Sequence, residues 1–375
     1  MTPFISAYFF YILLALLVPA AVIGLLGKPL KYYGLLVTLA FLPLIYNTWE
    51  SLLFLGIFYL SSLLAALAYA KLKTKNILVF WVFLVLALAP LLLSKFAAGL
   101  GWFRFLGISY ITFRTVQLIT GIKEGKIHKI KLLDFTYFVL FFPALSSGPI
   151  DRFQRFAQDL DAKRSRPEYL ELLREGIWKF FNGLLYSFVL APVIDIYLLS
   201  RFDKGRGALA LVGYAYAYTL YLFFNFAGYS RLAIGASYIL GIQMPENFNF
   251  PFASRDLKEF WSRWHMSLST FFRDHIYNKF VMATLKRKWF KNPHIGSYLG
   301  YVLTMSVMGV WHGLDLHFLV YGFYHGLLMC LNDWMDNKLK GFKKFKNSRF
   351  GGMLCAFVTF HMVVCGLLIF SGRLF

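Results

Sequence analysis

The sequence predicts an all-α, polytopic membrane protein with roughly ten to eleven transmembrane helices. Hydrophobic residues make up 59% of the 375 residues and charged residues only 15%, a composition too apolar for a soluble domain. Apolar runs of about 20 residues, the length that crosses a bilayer, recur along the chain. The Lys and Arg residues lie in short loops between these runs, as the positive-inside rule describes.

The formal net charge of +21 has two interpretations. Nucleic-acid binding is one, but the position of the charges in loops between apolar runs favours a basic cytoplasmic face instead. Such a face attracts anionic lipid and acidic proteins. We therefore expect anionic lipid and an acidic protein as partners, and no nucleic acid.

The first five predicted spans follow one another closely. The first run has no basic residue before it and is followed by Lys28 and Lys31, which indicates an uncleaved span with its N-terminus outside the cell. Arg114 and other polar residues interrupt the fifth span and should face a protein interior or a wet cavity. The five predicted spans are 4–27, 32–50, 52–70, 77–95 and 103–121.

The middle of the chain departs from this simple pattern. Residues 132–146 form a short apolar run that a Gly-Pro pair closes, which favours a re-entrant segment over a span. Residues 168–200 form a long helical pattern that must tilt, break or begin outside the bilayer. Residues 207–227 are apolar and aromatic, and residues 244–252 form a turn-rich connector.

A helix predicted over residues 254–277 is the element around which we expect the chain to be organised. Ser254 is its predicted N-cap, and Glu259 and Arg263 are placed to pair one turn apart. No apolar run of spanning length covers it, so it should lie at the membrane edge or dip in from it, with His265 on its apolar side. Its apolar stripe consists of Leu257, Phe260, Trp261, Trp264, Leu268, Phe271 and Phe272.

The C-terminal part continues with a basic amphipathic surface helix within residues 276–289. Its predicted apolar face is formed by Ile276, Tyr277, Phe280, Val281 and Ala283. Its flanking cations are Lys279, Lys286, Arg287 and Lys288. The remaining predicted spans are 295–311, 317–335 and 350–371, with a basic cytoplasmic loop before the last. Both termini are expected outside the cell, with the chain in the plasma membrane.

Two histidines are predicted to meet in one buried place: His265, and His312 in the sequence Gly-Val-Trp-His-Gly. There is no HEXXH arrangement and no GxSxG elbow, so neither a metal site nor a Ser-His-Asp triad is expected. A buried imidazole stays neutral and can accept a proton, but composition leaves a packing role equally open. His325 is expected to be a hydrogen-bonded interior histidine, with Tyr321 one turn back.

Five motifs together resemble the membrane-bound O-acyltransferase (MBOAT) family, in the family's order and from about residue 100 onward. They are GISYITFR (107–114), SSGPIDRFQRF (146–156), FNFAGYS (224–230), EFWSRWHMSLSTFFRD (259–274) and MGVWHG (308–313). The first two and the C-terminal FSGRLF are most similar to the D-alanyl transfer members of Gram-positive bacteria. Members that O-acetylate alginate or peptidoglycan usually carry a Tyr-Ile-Pro-Leu-Gly-Gly type stretch where this chain has HIYNKFVMA (275–283). Asn225 departs from the Asp that is more usual in the family.

The resemblance implies a ring of helices around a thin central re-entrant region, with a cytoplasmic and an extracellular funnel. The implied donor is D-alanine in thioester linkage to the 4'-phosphopantetheine arm of a small acidic carrier protein. The implied acceptor is an extracytoplasmic hydroxyl on the route to lipoteichoic acid. Other membrane proteins of the D-alanylation pathway are implied partners, and no bound cofactor is expected.

The resemblance also assigns residues to roles. His312 matches the catalytic histidine, and His265 would orient the donor or stabilise the oxyanion. The predicted substrate-binding residues are Trp261, Trp311 and Ser267, with core packing as the alternative for Trp261. The predicted docking residues for the carrier are Val281, Met282, Lys286 and Arg287, with a helix resting on anionic lipid as the alternative.

We expect a single membrane domain over 1–375. It would contain N-terminal peripheral helices (1–100), a catalytic core (101–335), and a basic loop with the last span (336–375). Two alternative functions stay open from the sequence. One is an O-acetyltransferase of a cell-wall polymer, and the other is a small-solute transporter.

Overall fold

The computed structural model describes residues 3–72, 76–97, 102–103, 105–205 and 207–375. The described residues contain helices joined by turns and connectors, and no strand, so the all-α prediction is confirmed. Six of the described helices are long and apolar enough to cross a membrane. They are Ala7–Leu25, Trp49–Leu72, Ile77–Phe96, Arg166–Asp203, Ala208–Ile239 and Arg349–Phe370. The count of ten to eleven spans stays a prediction.

The described residues group into two compact units. The first unit comprises Met1–Leu184 with Gly228–Pro245, and the second comprises Leu185–Ala227 with Glu246–Phe375. The three-part division of a single domain stays a prediction.

The first eight helices are α1 (Ala7–Leu25), α2 (Lys31–Ile45), α3 (Trp49–Leu72), α4 (Ile77–Phe96), α5 (Ile108–Lys123), α6 (Leu132–Leu140), α7 (Phe153–Asp161) and α8 (Arg166–Leu185). Most of them lie at predicted segments, although α2 ends before its predicted span does and α7 was not predicted. α6 is only nine residues long and is followed by a 3-10 turn at Phe142–Ala144, so this run is too short to cross a bilayer.

Arg114 on α5 fixes this short segment inside the first unit. The side chain is 1% exposed, and its guanidinium donates hydrogen bonds to the carbonyls of Phe138 and Val139, both at 3.0 Å, and of Ala144. These are carbonyls at and beyond the end of α6, where the helix itself offers no donor. The expectation that Arg114 faces a protein interior is therefore confirmed.

The next helices differ from the sequence prediction in length. Short helices α9 (Ala191–Ile194) and α10 (Ser200–Asp203) alternate with π-helical turns and continue α8 to residue 203. α11 runs over Ala208–Ile239, whereas the apolar segment was predicted to end at 227. The helix continues past Ser230, which is buried, because Leu232, Ala233, Ile234 and Ala236 beyond it are apolar and buried.

The prediction of one helix over 254–277 is wrong. The segment forms α12 (Leu257–Arg263) and α13 (Met266–Phe272), and a π-helical turn then leads into α14 (Asn278–Lys286). Asp256 is the N-cap, since its side chain accepts a hydrogen bond from the Glu259 N–H, whereas Ser254 donates to the Pro251 carbonyl. The predicted Glu259–Arg263 ion pair is confirmed at 2.7 Å.

The second unit ends with four helices, α15 (Pro293–His312), α16 (Leu316–Lys338), α17 (Phe342–Asn347) and α18 (Arg349–Phe370). Three of them match predicted segments, while α17 forms within the predicted basic loop. α15 and α16 pack closely, because small residues let the backbones approach: a Cβ at Gly322 would lie 2.3 Å from the Met305 carbonyl oxygen.

Candidate active site

The break between α12 and α13 positions His265. Its backbone lies in the left-handed region, with φ 43° and ψ 52°. For a non-glycine residue this conformation costs about 1–3 kcal/mol, so contacts with the surrounding residues must stabilise it. The apolar periodicity continues on both sides of the break, and for this reason the sequence pattern did not reveal it.

Asn247 from the connector holds the break in place. Its carbonyl accepts a hydrogen bond from the Met266 N–H at 2.9 Å, and its Oδ1 accepts one from the Ser267 hydroxyl at 2.6 Å. Asn247 is fully buried, and an isolated bridge between Phe248 and Trp264 adds a second attachment. Asn247 was not among the predicted site residues; it lies between Glu246 and Phe248 in the turn-rich connector that precedes the motif containing His265.

His265 itself is buried, and its Nε2 has no hydrogen-bond partner among the described residues. The ring lies edge-on against Phe226, with 4.6 Å between the ring centroids. His265 lies outside the six candidate spans. Burial, together with the smaller effect of a charge on nearby His312, lowers its pKa to about 3. The imidazole is therefore neutral at physiological pH.

His312 is the last residue of α15 and is half-buried among aromatic rings. The centroid of its ring lies 4.5 Å from Trp311 and 4.9 Å from Phe370. Because a charge on His312 acts on His265, the two predicted histidines lie within electrostatic reach of each other. Their catalytic roles stay predictions.

A cavity of about 440 Å³ lies beside the break, within the second unit. Trp261 Nε1 and Thr304 Oγ1 are buried without a hydrogen-bond partner in the described part of the chain, and both residues line this cavity. They offer hydrogen bonds to a polar ligand in a lining that mixes methionines and aromatic rings with polar and cationic side chains. The lining residues are Lys258, Trp261, Ser262, Met266, Ser269, Thr270, Phe272, Arg273, Tyr277, Tyr301, Thr304, Met305, Met308 and Met329.

The three predicted substrate-binding residues occupy different positions. Trp261 lines the cavity, whereas Ser267 bonds to Asn247 and Trp311 packs against His312 and, with 6.3 Å between centroids, against Phe272. Thr304 and the four methionines of the lining were not predicted. In the described ranges no group of three or more His, Cys, Asp or Glu is arranged to hold a metal ion.

His325 does not have the hydrogen bond expected from Tyr321. It is fully buried, and neither ring nitrogen has a partner within the described residues. The Tyr321 ring lies 4.7 Å away at 68°, so these rings pack edge to face. A Cβ at Gly366 would lie 2.3 Å from Nε2, so His325 is enclosed by backbone on that side.

The predicted surface helix forms as α14. Met282 is 51% exposed, and Lys286 and Arg287 are exposed beyond it. Val281 is half-buried because it packs toward Gly300 of α15. The exposed face is therefore apolar with a cationic end, while its function as a docking surface stays a prediction.

The helical fold and the two histidines define a multi-pass α-helical membrane protein with a site suited to proton transfer. A sequence-family model described as MBOAT, the membrane-bound O-acyltransferase family, matches residues 39–372. The chain belongs to this family and is a membrane-bound O-acyltransferase.

The comparisons with curated proteins agree with this assignment. The chain is 39% identical to the teichoic acid D-alanyltransferase of Bacillus subtilis, over 100% of this chain and 99% of the relative. It is 36% identical to the teichoic acid D-alanyltransferase of Streptococcus thermophilus, over 98% and 94%. It is 32% identical to the probable alginate O-acetylase AlgI of Pseudomonas aeruginosa, over 60% and 42%. The likeness to D-alanyl transfer proteins of the DltB type that the motifs indicate is thereby confirmed.

Proposed function

We propose that this membrane enzyme transfers D-alanine to a hydroxyl group on the route to lipoteichoic acid. The proposal rests on its similarity to teichoic acid D-alanyltransferases over the full length of both chains. The donor is D-alanine held as a thioester on the 4'-phosphopantetheine arm of an acidic cytoplasmic carrier protein. The enzyme itself binds no further cofactor, since acyl transfer from a thioester to an alcohol involves no redox change.

His312 acts as the general base in this proposal. Its imidazole takes the proton from the acceptor hydroxyl as the oxygen attacks the thioester carbonyl. An ester C–O bond forms, the C–S bond breaks, and the proton passes to the leaving pantetheine thiolate. General-base assistance of this kind contributes about 10²- to 10⁴-fold.

His265 orients the thioester or stabilises the negative charge on its carbonyl oxygen. The buried, neutral ring supports this role, since a neutral imidazole carries one N–H donor. Its partnerless Nε2 is the ring atom open to a ligand. A hydrogen-bond donor that already points at the carbonyl oxygen, where negative charge develops, increases the rate about 10²- to 10³-fold.

The cavity beside the break accommodates the pantetheine arm. Trp261 and Thr304 hydrogen-bond its amide groups, and the methionines of the lining pack along its chain. An enclosed arm keeps water away from the thioester. Trp311 and Ser267 contribute indirectly, through their contacts with His312 and with the break.

The carrier docks on the exposed face of α14. Val281 and Met282 supply apolar contact, and Lys286 and Arg287 steer the acidic carrier toward the helix. The alternative is that Lys286 and Arg287 bind anionic lipid, so that α14 rests on the membrane surface instead of binding the carrier.

Label transfer from a D-[¹⁴C]alanyl carrier tests the reaction. Purified enzyme in lipid nanodiscs should discharge the carrier, and His312→Ala should lower the rate about 10²- to 10⁴-fold. Normal discharge by a correctly folded His312→Ala protein would contradict the base assignment. The similarity to alginate O-acetylases favours O-acetyl transfer as the second candidate, and consumption of an acetyl donor instead of the D-alanyl carrier would establish it.

A further inference from the structure

A second cavity, of about 640 Å³, lies in the first unit, away from the residues assigned to catalysis. Its lining comes from the end of α1 through the start of α2, the start of α6, the end of α7 with the segment after it, Tyr169 of α8, and residues 240–242. Its charged lining residues are Lys28, Lys31, Lys131, Lys163 and Arg164, with Asp134, Asp159 and Asp161.

The carboxylates of this cavity are already neutralised. Lys31 pairs with Asp134 at 2.6 Å and with Asp161 at 2.9 Å, and Lys131 reaches Asp161 at 3.1 Å. Hydrogen bonds from Lys31 and Lys131 hold the pKa of Asp161 below its usual range. Asp159 in turn is paired with Arg164 at 2.7 Å.

Two cations remain once these pairs are formed. Lys28 and Lys163 are exposed, and neither has a carboxylate partner in the part of the chain that the structure describes. With five cations against three carboxylates, the lining carries a net charge of +2. The excess is located on Lys28 and Lys163, so the cavity attracts an anion at that position.

Two helices begin at the same cavity. α2 begins at Lys31 and α6 at Leu132, and the capping residues Leu30 and Lys131 make no side-chain hydrogen bond to the first turn. The first N–H groups of a helix have no partner within the helix and carry partial positive charge. They add to the attraction that the two lysines exert.

Apolar side chains complete the site. Tyr32, Leu132 and Leu133 line the cavity and are 66%, 56% and 45% exposed. Exposed apolar residues beside unpaired lysines fit an amphiphile with an anionic head better than a free anion. The positive-inside rule places Lys28 and Lys31 at the cytoplasmic leaflet, where anionic lipids lie.

We propose that this cavity is a binding site for an anionic phospholipid, with the headgroup phosphate between Lys28 and Lys163. The acyl chains then lie against Tyr32, Leu132 and Leu133. The proposal does not depend on the reaction that the enzyme catalyses, because no residue assigned to catalysis lines this cavity.

Native mass spectrometry of the full chain in a neutral detergent tests the proposal. The probes are phosphatidylglycerol, phosphatidylcholine and sn-glycerol 3-phosphate. We expect phosphatidylglycerol to be retained preferentially, and Lys28→Ala/Lys163→Ala to weaken its binding about tenfold or more, because each lysine near an anionic headgroup contributes substantially. Lys28→Arg/Lys163→Arg should keep the binding.

Lys343→Ala/Lys344→Ala is the matched control, since it removes the same charge from two exposed lysines outside the cavity. If the control loses as much phosphatidylglycerol binding as Lys28→Ala/Lys163→Ala, the lysines attract the lipid non-specifically and the proposal is overturned. Equal retention of phosphatidylcholine would overturn the headgroup assignment. Binding of sn-glycerol 3-phosphate as tightly as the lipid would overturn the role of the acyl chains and assign the cavity to a soluble phosphate.

Discussion

Two buried side chains that carry nitrogen, one in each unit, differ in whether their nitrogens have hydrogen-bond partners. Arg114 in the first unit donates to three carbonyls and has its hydrogen-bonding needs met by backbone. His265 in the second unit is also buried, yet its Nε2 has no partner among the residues described. A satisfied buried polar group holds a fold together, whereas an unsatisfied one costs stability unless a ligand completes it. From this difference we infer that Arg114 stabilises the first unit, whereas His265 in the second unit is positioned to bind a substrate.

Arg114→Met is expected to have the largest effect on stability. The substitution leaves three buried carbonyls without their donor and should cost about 3–5 kcal/mol, as when one partner of a buried polar arrangement is removed. Thermal unfolding of the purified protein in detergent measures the loss. Arg166→Met, at an exposed arginine, is the control and should unfold like the parent. An unchanged unfolding midpoint for Arg114→Met would contradict the claim that the hydrogen bonds of Arg114 stabilise the first unit.

His265→Ala should show the opposite pattern. Because the open nitrogen has no hydrogen bond to lose, the unfolding midpoint should change little compared with Arg114→Met. The rate of D-alanyl transfer should fall about 10²- to 10³-fold, as when an oxyanion donor is removed. Unfolding and transfer are measured on the same preparation. A protein that loses stability but keeps its rate per folded molecule would make His265 a packing residue.

The sequence predicts the elements of this fold well where one physical signal decides. Runs such as 77–95 are recognised because a spanning helix needs about 20 apolar residues, and the observed helix is Ile77–Phe96. Arg114 could be placed in the interior because a charge at membrane depth must face protein or water. The pair His265 and His312 followed from family motifs rather than from periodicity.

The sequence did not predict the local geometry of the site. The apolar stripe continues through His265, so periodicity favoured one helix where the chain breaks into two. The break depends on Asn247, which precedes His265 by eighteen residues and acts through a tertiary hydrogen bond that no local propensity encodes. The expected Tyr321–His325 hydrogen bond failed for a similar reason, since helical spacing brings two rings together without deciding how they meet.

Asn247→Ala tests whether the connector positions His265. The variant removes the acceptor of the Ser267 hydroxyl but keeps the backbone hydrogen bond to Met266, at a cost of about 1–3 kcal/mol. We expect kcat for D-alanyl transfer to fall by about tenfold with little change in KM for the carrier, because the break shifts while the docking helix is untouched.

Asn249→Ala is the matched control for this position. Asn249 lies in the same connector and is exposed, and its backbone N–H bonds to the Arg263 carbonyl, a bond that the substitution retains. Its rate should equal that of the parent. Equal losses in both variants would show that the connector matters for folding alone and that Asn247 has no special effect on His265.

Met282→Asp should have the smallest effect, confined to carrier binding. It puts a negative charge on an exposed apolar position of α14, and loss of a buried methionine contact of about 1.5–3 kcal/mol predicts at least tenfold weaker capture of the carrier. Surface plasmon resonance with immobilised carrier measures it. Val281→Asp should weaken capture too, but Val281 also packs toward Gly300, so its effect mixes docking with folding.

Asn347→Asp is the control for Met282→Asp, because it changes the charge by the same amount at an exposed position outside α14. Capture by the control should match the parent at equal ionic strength. If both variants weaken capture equally, general electrostatic attraction accounts for it and α14 is no docking site. If Met282→Asp weakens capture alone, its transfer rate at saturating carrier should stay normal, because the histidines and the cavity of the second unit are unchanged.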